Sequence, residues 1–457
     1  MCARQRQVRR RTLSPLLLLT LCVLAAACSP DSEGDPAQHH AGDQPKAPGD
    51  LAAFDDETTR DPSQQQAWDE LEALGYLAVG DDEIIPGDAL VRIYHPAHAY
   101  HGPTHFTSGH APKAFLIGMD GRILHEWEYV LPTVVDPKRR FWRRMHLFEN
   151  GDALAIFEGR GGGIAKIDAR SNEIWALSNN AHHDLQVMND GSIYLLTRTI
   201  EIDPKVHRRL PIHHDRVTKL SAGGEVLAQW SILDALRDTI WESEISYRDR
   251  GDLFHVNTLE VLDGSHTGGH PAFQQGRFLL SFRVTNALAV MDPVLGKIVW
   301  YEKGPWKSQH QPSLLANGNI LLFNNYGSQK QGVQKQGLPK ERSRGAAKSD
   351  GGAFERGPSE ILEYDPVAQE VVWRYAGTTG EKKFYSGAAG SVARLPNGNL
   401  LASLSFQGRA VEITRAGRIV WEYRAPFEIE GKVPNTPEYV RHPADFPLDW
   451  IPAKRGE

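Results

Sequence analysis

Three histidines far apart in this 457-residue chain, His183, His255 and His310, stand near the starts of comparable short strands. Asn257 follows the second by two residues, and Arg283 ends the strand after it. Brought to one place, three imidazoles, an amide and a guanidinium make an electropositive, donor-rich pocket. Such a pocket suits a tetrahedral oxyanion whose charge spreads over three oxygens, as in phosphoryl or sulfuryl transfer. Neighbouring cations depress an imidazole pKa from about 6.5 and keep it neutral near pH 7. One neutral histidine can then attack to form a covalent intermediate, while another protonates the departing oxygen.

What must position these residues is a repeat. The unit reads apolar–x–apolar, a Gly/Asp/Asn turn, then an alternating strand ending in Trp, with copies ending at Trp127, Trp175, Trp230, Trp300, Trp373 and Trp421. Five copies are preceded by a hairpin turning at Asn150-Gly151, Asp190-Gly191, Asp263-Gly264, Asn317-Gly318 or Asn397-Gly398. Asx-Gly between apolar runs is a strong hairpin signal, because its turn needs positive φ. Four strands per unit predict an all-β, six-bladed β-propeller, whose blades cover each other's faces. The tryptophans are expected to fill the space between blades. The first blade lacks an inner hairpin, so either a strand near Leu90–Tyr94 or the tail Ala425–Ile451 is expected to close the ring.

Propeller geometry returns the inner hairpins to one face of the channel. Counting back eight residues from each turn glycine gives Arg143, His183, Val256, His310 and Gly390, which should converge at one mouth. Gln309 and Gln311 flank His310 there. His182 alternates away from His183 on a strand, which suits a supporting role, and it is placed with Asn257 among the substrate-binding residues. His213-His214-Asp215 is expected in a surface loop, and His39-His40 is background.

Composition supports a soluble globular body, with 42 Gly, 28 Pro, 24 % charged and 40 % hydrophobic residues. The first 27 residues hold five arginines and no acids, leaving 46 basic against 57 acidic side chains, or −11, in the remainder. That balance opposes a nucleic-acid partner. Residues 1–27 read as a signal peptide: basic from Arg4 to Arg11, apolar from Leu16 to Leu24, small at Ala25-Ala26-Ala27. Cys28 then matches a lipoprotein cleavage site, with ordinary secretion as the alternative, which places the protein in a bacterial cell envelope. The membrane would be met only through that lipid. Residues 28–62 form a Pro- and Gly-rich tether, 63–88 a helix (Gln64–Tyr76) and linker, 89–424 the propeller, and 425–457 a proline-rich tail. All three cysteines, Cys2, Cys22 and Cys28, lie in the leader, so the body has no thiol chemistry.

The segments HHDLQVMNDGSIYLL, DLFHVNTLEVL with GRFLLSFR after it, QHQPSLLANGNILLFNN and SVARLPNGNLLASLS with GRAVEITRAGRIVWEY resemble the bacterial arylsulfate sulfotransferase family. The resemblance spans about Ala89 to Tyr423 and implies a six-bladed propeller. It implies transfer of a sulfuryl group from a phenolic sulfate ester to a phenolic acceptor, without the nucleotide donor of cytosolic sulfotransferases. The histidine matching His310 would be transiently sulfated. Those matching His183 and His255, with Asn257 and Arg283, would bind the sulfuryl group and assist proton transfer. Neither cofactor nor metal is expected. This body lacks the disulfide that enteric members carry near the nucleophile, and their N-terminal β-domain is replaced by the helix and tether. The alternatives are a metal-dependent propeller hydrolase or lactonase, and a non-catalytic binding scaffold. Against the first, no acidic ligands are expected at the mouth. The polar insertion 327–357 joins two strands on the His310 face and could serve as a lid or funnel for anionic esters.

Overall fold

The computed structural model describes residues 60–73, 79–83, 90–136, 140–266, 268–327, 358–377 and 384–451. The leader with Cys28, the tether with His39-His40, and residues 328–357 of the insertion lie outside the described residues.

Six antiparallel sheets form the propeller, and in blades two to five each strand pairs with the next in sequence. Blade two runs from Trp142 to Leu177, blade three from Ala181 to Ser231, and blade four from Val256 to Glu302. Blade five runs from His310 to Tyr375 and blade six from Ser391 to Arg424. Their inner hairpins turn where Asx-Gly was read: Gly151, Gly191, Gly264, Gly318 and Gly398 have φ between +77° and +85°, which only glycine adopts at no steric cost. Buried apolar side chains fall into six clusters, each shared by two neighbouring blades. Every blade therefore relies on its neighbours to cover its faces.

The repeated tryptophans bridge blades, as the repeat predicts, and five of the six use a hydrogen bond as well as bulk. Trp127 Nε1 donates to the Gly151 carbonyl, Trp175 to Ala222, Trp230 to Pro293, Trp373 to Arg415 and Trp421 to Met119, each in the following blade. The last of these crosses the seam from blade six to blade one.

Both segments considered for ring closure are used, in different places. Tyr439–Arg441 pairs antiparallel with Thr104–Thr107 and becomes the innermost strand of blade one, whose other strands end at Glu128. Val91–Tyr94 instead adds a fifth, outermost strand to blade six beside Ile419–Arg424. The tail beyond residue 424 is thus part of the ring, and the expected boundary there is corrected. Arg441 anchors it: its guanidinium faces Glu412 at 3.5 Å, with both side chains fully buried.

The N-terminal helix spans Pro62–Ala73. Asp61 caps it, its Oδ1 accepting from the backbone of Ser63 at 2.9 Å and Gln64 at 3.0 Å, and proline fits the first helical position. Trp68 and Leu71 are buried. The linker after it contributes a strand, Val79–Glu83, paired with Lys432–Pro434. No helix among the described residues is long and apolar enough to cross a membrane.

Candidate active site

Regular strands would point the inner residues alternately along the channel wall, but four inner strands are bulged at their mouth ends. Register slips between Trp142 and Arg144, His182 and Leu185, Val256 and Thr258, and His310 and Ser313. A bulge leaves a residue unpaired in the ladder and re-aims its side chain. Arg143, His183, Asp184, Asn257 and Gln311 occupy these bulges. His183, His255 and Gln311 also take left-handed backbone, with φ of +53°, +50° and +49°, at a cost on the order of 1–3 kcal/mol each.

The three histidines converge. The rings of His183 and His255 meet edge to face with centroids 5.0 Å apart. His310 lies close enough for its charge to bear on both. The residue counted at blade four's mouth, Val256, is instead buried in the core, and His255 beside it faces the opening. Arg143 joins the group, while Gly390 leaves no room for a side chain: a Cβ there would fall 2.6 Å from Phe323 Cε1.

His310 is held in one tautomer. Its Nδ1 lies 2.9 Å from the Ser308 carbonyl and 2.7 Å from Asn325 Oδ1. Asn325 cannot present its nitrogen instead, because Nδ2 donates to the carbonyls of Ser386 at 2.8 Å and Ala389 at 2.6 Å. With two oxygens as partners, Nδ1 carries the proton and Nε2 the lone pair. Burial, then the Arg283 guanidinium, holds the His310 pKa well below its ordinary value, against the opposing hydrogen bond from Asn325. Burial and the neighbouring His255, Arg198 and His310 do the same for His183. Both imidazoles are neutral at pH 7.

Carboxylates stand behind the histidines, which corrects the expectation of a mouth without acidic groups. His255 Nδ1 is 2.5 Å from Asp252 Oδ2. Burial alone would raise Asp252, but the attraction and hydrogen bonds of His255 and His213 hold it well below the usual carboxylate range. Glu158 accepts from the His183 backbone N–H at 2.6 Å and lies 3.6 Å from Arg143 Nε. His182 is buried behind His183, with Nδ1 2.8 Å from His183 Nδ1 and Nε2 3.4 Å from Asp215. It supports its neighbour rather than lining the opening.

The His213-His214-Asp215 group is not in a surface loop. It belongs to the nine-residue strand Ile212–Leu220, paired along its whole length with Ile193–Glu201, and all three side chains are buried. Two-residue alternation sends His213 toward Asp252, at 3.6 Å, and Asp215 toward His182.

The amides near His310 make their hydrogen bonds within the protein. Asn257 Nδ2 donates to the Gln309 carbonyl at 2.9 Å, tying blade four to the residue before His310. Gln309 turns inward onto Ser281 and the Ala287 carbonyl, and Gln311 accepts from Arg144 at 2.8 Å. Arg144 also pairs with Asp184 at 2.8 Å and with Glu438 of the tail at 3.1 Å. Among the described residues the Arg283 guanidinium has no hydrogen bond or ion pair, so it remains available to an anion.

Glu158, His182 and His183 place one potential metal-ligating atom each within 4.8 Å of one another. The two imidazole nitrogens are 2.8 Å apart, a hydrogen-bond distance, whereas two ligands of a tetrahedral zinc stand about 3.3 Å apart. The pair shares a proton as it stands.

A family model described as arylsulfotransferase (ASST) matches residues 144–426 of the 457. The chain belongs to the arylsulfotransferase family. It is a sulfotransferase-family propeller enzyme, a transferase, and the matched span includes His183, His255 and His310. No curated protein matches the chain. Solved structures similar to this arylsulfotransferase-family chain include a protein of unknown function from Bacteroides caccae, with 13 % identity, 74 % of this chain and 98 % of that one covered, and a TM-score of 0.45. A streptogramin B lyase has 14 % identity, coverage of 76 % and 86 %, and a TM-score of 0.40. An inactive virginiamycin B lyase from Staphylococcus aureus has 11 % identity, coverage of 76 % and 89 %, and a TM-score of 0.40.

Proposed function

We propose that this enzyme moves a sulfuryl group from a phenolic sulfate ester to a phenol through a covalent sulfo-His310, with no nucleotide donor. The observation that carries this reading is the fixed tautomer of His310, which leaves a neutral, nucleophilic Nε2 beside an uncommitted guanidinium. In the first step the Nε2 lone pair attacks sulfur, the S–O ester bond breaks, and the phenolate takes a proton from His255. Asp252 stabilises the charged form of His255 as a carboxylate behind an imidazole does in a catalytic triad. Arg283 binds the sulfuryl oxygens and His183 packs beside them. Sulfation makes the buried His310 ring cationic next to Arg283, so the N–S bond stays reactive. In the second step the acceptor phenol returns its proton to His255 and attacks sulfur, and the N–S bond breaks. No net proton is gained or lost.

His182 and Asn257 act by holding His183 and the Gln309–His310 backbone. Placement in a bacterial envelope, through a lipid on Cys28, rests on the leader. The test mixes a chromogenic aryl sulfate with a phenol and follows parallel-line kinetics, with intact mass after acid-free quenching to detect one added SO₃ on the peptide bearing His310. Full activity in His310→Asn would remove the nucleophile. Loss of activity with a chelator would instead favour the metal-dependent reading that the Glu158-His182-His183 group permits.

A further inference from the structure

Three consecutive residues just ahead of Asp252 have left-handed backbone: Asp249 at φ +44°, Arg250 at +60° and Gly251 at +104°. For residues with a Cβ that conformation costs on the order of 1–3 kcal/mol each, and it persists only where the surroundings enforce it. The ladder of blade four does not enforce it, since its first strand begins at Val256. The N-terminal helix packs against the end of this turn. Leu71 is 1 % exposed. A Cβ added to Gly251 would lie 3.2 Å from Leu71 Cδ1 and 2.4 Å from the Pro211 carbonyl oxygen, so this glycine is pressed between helix and blade. Glu70 Oε2 lies 3.6 Å from Arg250 Nη1. The helix is fastened to blade three by Arg209, whose guanidinium meets Asp61 at 2.6 Å and whose carbonyl accepts from Gln64 at 3.0 Å.

We propose that the N-terminal helix is a clamp on the proton donor. By seating Leu71 on Gly251 and Glu70 against Arg250, it holds the 249–252 turn, and with it Asp252, at hydrogen-bond distance from His255. Leu71 and Glu70 are then positioning residues for protonation of the departing phenolate. The inference rests on the reading of His255 as the group that supplies that proton. It makes the segment between tether and ring part of the catalytic apparatus rather than a spacer.

Leaving-group dependence separates positioning from plain destabilisation. The weakly basic 4-nitrophenolate departs with little proton assistance, whereas unsubstituted phenolate needs it. Full-length Asp252→Asn is expected to lose about 100-fold in kcat on phenyl sulfate and far less on 4-nitrophenyl sulfate. Leu71→Ala is expected to show the same selectivity at smaller size, about tenfold against less than about twofold. Leu71→Met should restore the parent ratio. If Leu71→Ala does not fold, Leu71→Val carries the same comparison, with the folded fraction fixed by thermal unfolding. Equal losses on both donors, or none, in the helix variants while Asp252→Asn stays selective would overturn the clamp and leave the His255 reading standing. An Asp252→Asn enzyme without selectivity would overturn both.

Discussion

Asn325 fixes which nitrogen of His310 carries the proton, because two backbone carbonyls prevent its own amide from turning. Asn325→Leu leaves only the Ser308 carbonyl to hold the ring. It should lower kcat about 10- to 100-fold with KM nearly unchanged, as measured in donor-saturation kinetics. Arg283 acts on the same ring through charge. In the proposed reaction His310 must be neutral to attack, and burial followed by the cation depresses its pKa. Removing that cation in Arg283→Met lets the pKa rise toward 6.5, so the acid limb of the kcat/KM profile should move to higher pH while donor KM rises. Sequence spacing was enough to place His183 and His310, because both lie eight residues before a turn glycine. It missed Asp252, Glu158 and Asn325, which reach the site from a loop and from the ends of second strands. A carboxylate three residues before a histidine, as in Asp252-Leu253-Phe254-His255, is the one local sign that was present. The partnership of Asp215 with His182 joins the first and third strands of blade three across the second, and leaves no such sign.

At the level of elements, what builds the site is departure from regular strand. The Asx-Gly turns and alternating apolar runs were legible, and they give the blades. The bulges were not, since a bulge depends on how two strands slip against each other. That slip is why His255 rather than Val256 faces the mouth. Gly390 shows how little tolerance remains nearby. Its φ is +104° and a Cβ would sit 2.6 Å from Phe323, while the preceding residue, Ala389, gives the carbonyl that orients Asn325. Gly390→Ala should cost about 2 kcal/mol or more, seen as a lowered denaturation midpoint, and should also lower kcat.

For the whole molecule, stability is predicted to fall on acidification well before the carboxylates titrate. Burial lowers His146 and His442 to about 4. The unfolded chain takes up protons at these positions from about pH 6.5 downward and the folded one does not, so stability is lost as pH falls from about 6.5 toward 4. Each contributes a loss of about 2 kcal/mol by pH 5, to be read from Tm across that range. His442 directly follows the closing strand of blade one, with Nε2 2.7 Å from His105 Nδ1. The number of blades was legible from the tryptophans. Where the ring closed was not, because Tyr439–Arg441 is three residues long in a proline-rich stretch and carries no alternation of its own.

That closing strand is made after every other strand of the ring. Until it docks, blade one has no inner edge and Arg144 lacks Glu438, one of the three groups that surround its charge between the bulges of His183 and His310. A chain whose closing strand has not docked therefore lacks one of the partners that hold Arg144 beside the histidines.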